Sequence, residues 1–306
     1  MCADAPSDAS VIHPLGAKEF TGIAIAAGIN PEYGKRDPYR MALAVVDEAV
    51  RNLAAVGADP ERVAILDNFC WGDPLHPETL GSLVEAARGC SEAALLYRTP
   101  FISGKDSLNN EYVGTDGQRH AIPPTLLISS IGVMKDVTKA VTMDLKEAGD
   151  ELYLVGKFKP TFGGSHFSII TSQFENEPVP DVNEITPQVY KALFHVITAG
   201  LIRSCHDLSE GGLAVAAAEM CIGGRVGLDL TLNIAPHQPP RILFGETTGC
   251  LLVEIASADV GAFESVFSGL PFVKIGQVTS NPILQFGNIS VAVSDLAKAF
   301  NPSSSL

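Results

Sequence analysis

The sequence predicts a mixed α/β protein that divides into two domains near residue 148, and three observations predict it. Apolar runs of strand length alternate with helical periodicity through the first half. The pattern resets in the polar stretch KDVTKAVTMDLKEAGD at 135–150, where GDELYLVGKF opens a new strand. The chain has 306 residues, 46% hydrophobic and 18% charged, enough for one large or two ordinary domains at roughly 100–200 residues each. Disorder is excluded as the dominant state.

Taken in order, GIAIAAGI (22–29) reads as a buried strand and PEYGKRDPY (31–39) as a Pro/Gly/charge-rich loop. RMALAVVDEAVRNLAAVG (40–57) has helical periodicity, with Met41, Val45, Val46, Ala49, Val50 and Leu53 supplying the buried surface and Gly57 the stop. VAILD (63–67) is a second buried strand, and HPETLGSLVEAARGCSEAALLY (76–97) carries one long helix or two short ones. PFIS leads into a polar loop, GKDSLNNE (104–111), and TLLISSIGVM (125–134) is a further strand. The second half opens with a loop, TFGGSHFS (161–168), a mobile segment, QFENEPVPDVNEITP (173–187), and a helix, VYKALFHVITAGLI (189–202). CHDLSEGGLAVAAAEMCIGG (205–224) follows, then the strands VGLDLTL, CLLVEIA, FVKIGQV and ISVAV.

Composition narrows the function classes. Lys+Arg 21 against Asp+Glu 35 leaves 21 − 35 = −14, and without a local basic cluster such a chain repels a phosphate backbone, so nucleic acid is not expected as a partner. No apolar run approaches the roughly 18 residues of a membrane span. MCADAPSDAS has neither the positive region nor the apolar core of a signal peptide, so a cytoplasmic location is expected. Cys2, Cys70, Cys90, Cys205, Cys221 and Cys250 are scattered without a C-x-x-C pair and read as buried reduced thiols.

The familiar phosphate loop G-x-x-x-x-G-K is absent ahead of Lys35, Lys105 and Lys157, and neither G-x-G-x-x-G nor G-x-S-x-G occurs. Oxygen-bearing side chains at element ends remain. Glu48 and Asn52 lie four apart on one helix face and suit Mg²⁺, a hard cation that takes carboxylate, amide and water oxygens. The competing reading is a solvated stripe, to which the neighbouring i,i+4 pair Asp47 and Arg51 would belong. Asp67 follows VAIL, where a strand opens to a loop and ligand groups gather, although Asp67-Asn68 is equally a turn-former. Ser103-Gly104-Lys105-Asp106-Ser107 sets a flexible backbone beside a cation, a carboxylate and hydroxyls, and reads as a phosphate loop or as a surface turn. In HDLSEGGL (206–213), Asp207 or Ser209 can cap the next helix, and Gly211-Gly212 admits a close neighbour. His206 reads as a structural hydrogen-bond donor before an acid/base group. Gly163-Gly164-Ser165 is a comparable close-approach loop. These corners point to a Mg-nucleotide site spread over both domains, with no nucleophile identified.

GINPEYGKRDPYRMALAVVDEAVRN, LDNFCWGDP, SGKDSLNNEY, SCHDLSEGGLAVAAAEM and LFGETTGCLLVEI resemble, in order and spacing, the second half of the phosphoribosylformylglycinamidine synthase family, within the aminoimidazole ribonucleotide synthetase-like superfamily. The resemblance implies a two-domain fold, with an N-terminal α/β domain over 1–147 that pairs into a barrel and a C-terminal α+β domain over 148–306. It implies ATP- and Mg²⁺-dependent amidation of formylglycinamide ribonucleotide with glutamine-derived ammonia in purine biosynthesis. Asp8, Glu48, Asn52 and Asp207 match metal ligands of the family, and Ser209 lies near nucleotide. Asp67 and Gly104 would face ATP and Ser107 the ribonucleotide. Lys105 stands where shorter members carry a metal-binding Asn, which leaves it an ATP contact and makes Asp106 the substitute ligand.

The family's Thr-His-Asn-His-Pro motif, its catalytic His and its glutaminase domain have no counterpart in the chain. The resemblance therefore assigns this sequence no catalytic residue. It implies a half that needs the first half of the synthase and a glutaminase domain or subunit, is inactive alone, holds ATP or a retained ADP, and forms a homodimer when isolated. Two other readings stay open: an autonomous homodimeric kinase or synthetase of the same superfamily, and a non-catalytic nucleotide-binding or assembly module.

Overall fold

The structure is a computed structural model, and it describes residues 5–174, 176–232 and 239–301. Cys2, among the thiols read from the sequence, lies outside the described residues.

The first half runs β1 (Ser10–Ile12), β2 (Gly22–Ile29), α1 (Pro31–Gly34), α2 (Pro38–Ala55), β3 (Val63–Cys70), α3 (Pro77–Tyr97), β4 (Phe101–Ser107), β5 (Glu111–Val113), β6 (Arg119–Ala121) and β7 (Thr125–Met134). Five of these strands form one sheet in the order β1-β2-β7-β3-β4, antiparallel except for the parallel β3–β4 pair; β5 and β6 make a separate hairpin. The second half runs β8 (Glu151–Val155), α4 (His166–Thr171), α5 (Thr186–Thr198), β9 (Ser204–Asp207), α6 (Gly212–Gly224), β10 (Gly227–Leu230), α7 (Pro239–Phe244), β11 (Leu251–Ile255), α8 (Val260–Val266), β12 (Phe272–Thr279), β13 (Ile283–Phe286), β14 (Ile289–Ala292) and α9 (Val293–Phe300). Its sheet has the order β14-β13-β10-β12-β8-β11-β9.

Helix α2 joins the halves. Asp37 caps it by accepting from the Arg40 amide, and Pro38 opens its first turn. Met41 to Val46 and Ala49, Val50 and Leu53 are buried against both β2 and β7 on one side and the second half on the other, in a core that includes Tyr153, Val155, Tyr190 and Val253. Packed on two sides, α2 has no solvated stripe at Asp47 and Arg51, whose side chains are 0% and 3% exposed. A second core lies among β8, β10, β11 and α6, around Leu154, Leu213, Met220 and Leu252.

Several sequence expectations are corrected. PEYG is a short helix, with the Asn30 side chain accepting from the Tyr33 amide. GIAIAAGI is a strand buried on one face only: Ala24 and Ala26 are covered while Ile25 and Ile29 are about 40% exposed, because helices cover just one side of the sheet. β3 extends past VAILD to Cys70, so Asp67 sits inside a strand rather than at its end. GKDS is not a loop; it is the polar edge strand β4, whose backbone pairs with β3 from Asp67↔Gly104 to Cys70↔Ser107. Residues 76–97 form one helix from Pro77. The segment 173–187, expected to be mobile, is pinned where Val179 is buried and where Glu177 accepts from the Phe162 amide and from Arg241. Cys90, Cys205, Cys221 and Cys250 are buried free thiols, and Cys70 is half-buried. Burial pushes the Cys90, Cys221 and Cys250 thiols up to about 12, far from nucleophilic.

Candidate metal and nucleotide site

The site is built where α2 crosses the end of β9. Glu48 and Asn52 leave α2 on the side of β2, and that strand holds both: the Ile29 amide donates to Glu48 Oε2 at 2.9 Å, and Asn52 Nδ2 donates to the Ala27 carbonyl at 3.2 Å. Asn52 Oδ1 is buried without a hydrogen-bond partner. β9 delivers His206 and Asp207, and the chain before β1 folds back so that Asp8 Oδ1 accepts from the Asp207 amide (3.0 Å) and faces His206 Nδ1 (2.9 Å). These groups line a cavity of about 470 Å³ together with Ser209, Glu210, Glu219 and His166.

Asp207 and Ser209 do not cap α6; its N-cap is Gly211, at φ 80, with no side-chain cap bond. Gly212 follows at φ 66, and a Cβ there would lie 2.4 Å from the Gly245 carbonyl oxygen. Only glycine meets both demands, which fixes the turn that presents Ser209 and Glu210 to the cavity.

Asp207 is held from behind. Arg51 donates through Nε and Nη2 to Asp207 Oδ2 (3.2 and 3.1 Å) and through Nη2 to Ser209 Oγ (3.0 Å). Arg51 in turn rests on Asp47, which accepts from the Tyr97 and Tyr190 hydroxyls (both 2.6 Å) and from the Gly249 amide (2.9 Å). Both oxygens of Asp47 are thus satisfied and Arg51 is engaged through all three nitrogens, the condition under which a buried ion pair is tolerated. Burial works to raise the Asp207 pKa, and the Arg51 charge, with His206, more than offsets it and holds the carboxyl below its usual range.

Elsewhere in the cavity the balance differs. Burial, then the charge of Glu210, pushes Glu48 well above the usual carboxylate range, and burial likewise raises Glu210. For His206 burial opposes the charged form, yet Asp8 at Nδ1 and Glu219 at Nε2 (both 2.9 Å) push its pKa well above the ordinary value. With both ring nitrogens engaged by carboxylates it is a cationic brace and not a ligand, although it lies within ligand distance of Asp8 and Asp207.

The donor set fits Mg²⁺. Carboxylates of Asp8, Glu48 and Asp207 line one cavity with Asn52, whose buried Oδ1 lacks a partner, and a hard cation bound there would supply the missing charge and could satisfy that oxygen.

Both halves match one family. The sequence pattern of the AIR synthase related protein, N-terminal domain, fits residues 6–134, and that of its C-terminal domain fits residues 147–287. The chain belongs to the AIR synthase related family. Its relatives include the phosphoribosylformylglycinamidine synthase subunit PurL of Nostoc sp., 37% identical over 254 residues (82% of this chain, 32% of the relative). The PurL of Deinococcus radiodurans is 36% identical over 283 residues (90% and 37%). The chain therefore spans about a third of the length of these relatives. The fold is that of Thermotoga maritima PurL, seen complexed with FGAR (TM-score 0.75, 17% identity, 96% of this chain and 49% of that one) and with ATP (0.69, 18%, 94% and 46%). It is also that of a chain in a HypE–HypF complex (0.68, 16%), where 93% of this chain covers 92% of that one.

Within this AIR synthase related fold, Asp8, Glu48, Asn52, Asp207 and Ser209 share one cavity, and the other expected site residues do not line it. Strand alternation and the β3–β4 register put Asp67 and Asp106 on the face of the first sheet that the helices cover at its centre, Asp106 itself being exposed at the edge, and Lys105 and Ser107 on its open face, where Lys105 Nζ donates to Ser107 Oγ. The Asp67 carboxylate lies over Gly104, where a Cβ would sit 2.4 Å from Oδ1, and burial, then the charge of Asp106, raises its pKa. Asp106 is thus remote in the sheet from the metal ligands it was expected to join. Sequence reasoning missed Arg51, Glu219, His166 and Glu246. Glu219 had a signal, being the one acid in the apolar helix LAVAAAEMCIGG. Arg51 was hidden because an i,i+4 partner reads as surface pairing.

Proposed function

We propose that this chain is the second, synthetase-like half of a phosphoribosylformylglycinamidine synthase and holds a Mg-nucleotide in the cavity between α2 and α6. The reading rests on one cavity lined by the carboxylates of Asp8, Glu48 and Asp207 and by Asn52, whose buried Oδ1 has no hydrogen-bond partner. It is supported by relatives named for that activity over most of this chain's length. Bound there, Mg²⁺ would neutralise the phosphate charge of ATP or of a retained ADP. Asp8, Glu48, Asn52 and Asp207 would hold the cation, Arg51 and His206 would keep those carboxylates oriented, and Ser209 would border the nucleotide.

In the whole enzyme the chemistry is ATP-dependent amidation of formylglycinamide ribonucleotide with glutamine-derived ammonia, an amidoligase reaction of purine biosynthesis. In this reading the first half of the synthase and a glutaminase domain or subunit complete the active site, the chain is inactive alone, and the complex works in the cytosol. Asp67, Gly104, Lys105 and Ser107 then belong to a nucleotide and ribonucleotide surface completed by that first half, and Asp106 has no place among the metal ligands of the cavity. The domain division proposed is 1–147 and 148–306. No helix among the described residues is long and apolar enough to cross a membrane.

One observation favours a second reading, an autonomous homodimeric synthetase or kinase: the chain in the HypE–HypF complex is matched over nearly its whole length. Calorimetric titration of ATP and ADP with Mg²⁺ separates the two. Micromolar binding that is lost in Asp207→Ala and in Glu48→Ala, without turnover of formylglycinamide ribonucleotide and ammonia until a first half is added, is the expected result. Turnover by the chain alone overturns the inactive half, and no binding overturns the nucleotide site.

A further inference from the structure

The cavity is a poor anion site by its own charges, and this singles out one residue. Asp8, Glu48, Asp207, Glu210 and Glu219 all reach it. Among the described residues that line it, two are basic: His206 and His166. His206 is spent, since Asp8 and Glu219 occupy both its ring nitrogens at 2.9 Å. Arg51, just behind, is 3% exposed and bound by Asp47, Asp207 and Ser209. His166 is different. Its side chain is 55% exposed, and its Nδ1 edge lies 3.6 Å from Glu246 Oε1, which leaves the Nε2 edge without a protein partner.

Glu246 is built to hold that ring in place. It is 1% exposed; its Oε1 accepts from the His166 amide (2.9 Å) and the Gly211 amide (3.0 Å), and its Oε2 accepts from the Tyr33 hydroxyl (2.6 Å). One carboxylate therefore ties the first residue of α4, the turn before α6 and helix α1 together at the cavity rim. The nearby Glu246 carboxylate also raises the His166 pKa, favouring the charged ring.

We infer that His166 is the phosphate-contacting cation of this cavity: its Nε2–H donates to a phosphate oxygen of the bound nucleotide, and Glu246 is the positioning residue that aims it. The inference rests on the nucleotide reading above and adds a ligand contact to it. Cations held by the carboxylates would take one side of the phosphate chain, and the imidazolium the other.

Three variants of the full chain test it, with Mg-ADP and ribose 5-phosphate as probes. His166→Ala should weaken Mg-ADP by about tenfold or more, the scale of a hydrogen bond to a charged group, while the ligand-free melting temperature stays put because the ring is half-exposed. His166→Arg should restore most of the affinity. Glu246→Gln, which keeps the shape and loses the charge, should weaken Mg-ADP in the same direction. Unchanged Mg-ADP affinity in His166→Ala overturns the contact, and so does a lower melting temperature that Arg fails to rescue. Loss confined to ribose 5-phosphate would assign His166 to the ribonucleotide and overturn the nucleotide contact. A wild-type chain that binds no Mg-ADP would instead bring down the underlying reading.

Discussion

Ionised Glu48 opposes folding and serves the proposed site. Its pKa is raised by burial and then by the charge of Glu210, so the folded state binds its proton more tightly than the unfolded chain. A carboxyl raised in this way costs stability as pH climbs from the unfolded value, about 4.3, through the folded one, and the loss persists above it. Glu48→Gln keeps an acceptor for the Ile29 amide and removes the charge. Its urea midpoint should match that of the wild type near pH 4 and exceed it at pH 8, while Mg²⁺ binding is lost. A variant equally stable or weaker at pH 8 would show that the buried charge is already neutralised inside the protein. Asp207 is the opposite case, because Arg51 compensates its charge before any metal arrives. The structure puts Glu48, Asn52 and Asp207 on one cavity; Glu48 and Asn52 were legible in the sequence as an oxygen-bearing pair four apart on one helix face, and Asp207 through its place in HDLSEGGL. Arg51 and Glu246 were not, since their partners lie 156 and 213 positions away for Asp207 and Tyr33 and only the fold brings them together.

At the scale of elements, strand β2 sets the position of helix α2. Ala27 and Ile29 hold Asn52 and Glu48 through backbone bonds, and Gly28 lies between them. A Cβ on Gly28 would sit 2.1 Å from the Val45 carbonyl oxygen and 2.9 Å from the Ala49 amide nitrogen, so the helix backbone occupies the space of a side chain. Gly28→Ala should push α2 off the sheet, costing about 1–3 kcal/mol as overpacking does, and weaken Mn²⁺ or Mg²⁺ binding as the ligand pair shifts. Urea denaturation and a metal titration check the two effects. Lost stability with intact metal affinity would mean that Glu48 and Asn52 keep their places without the strand. Elements with a clear period or a bounded apolar run were legible: α2, α3 and the alternating β7, and α6 as an apolar run set between glycine pairs, stand where the sequence puts them. β4 was not, because an edge strand exposed on both faces has no apolar alternation and reads as a loop. The two-sided burial of α2 was also missed, since periodicity records one covered face while a second layer adds its own.

The whole molecule leaves one side of its first sheet uncovered. The faces of β2 and β7 away from the helices carry Ile23, Ile25, Ile29, Leu127, Ile131 and Val133, with Leu66 of β3 beside them. Contiguous apolar surface of this kind marks an interaction site. The edges of the sheet, three-residue β1 and polar β4, are shaped to stop or direct pairing rather than extend it. We propose that this face receives the counterpart domain of the synthase's first half and, in its absence, a second copy of this chain, completing a barrel across a two-fold axis. Ile25→Lys places a charge at the centre of the face, at a position about 40% exposed in the isolated chain, so folding should be little affected. Sedimentation equilibrium at high micromolar concentration should show a dimer for the wild type and a monomer for Ile25→Lys, with matching thermal melts. Added first half should convert the wild-type homodimer into a one-to-one complex and fail to bind the variant. A wild-type chain that stays monomeric and ignores the first half would leave the open face without the partner proposed for it.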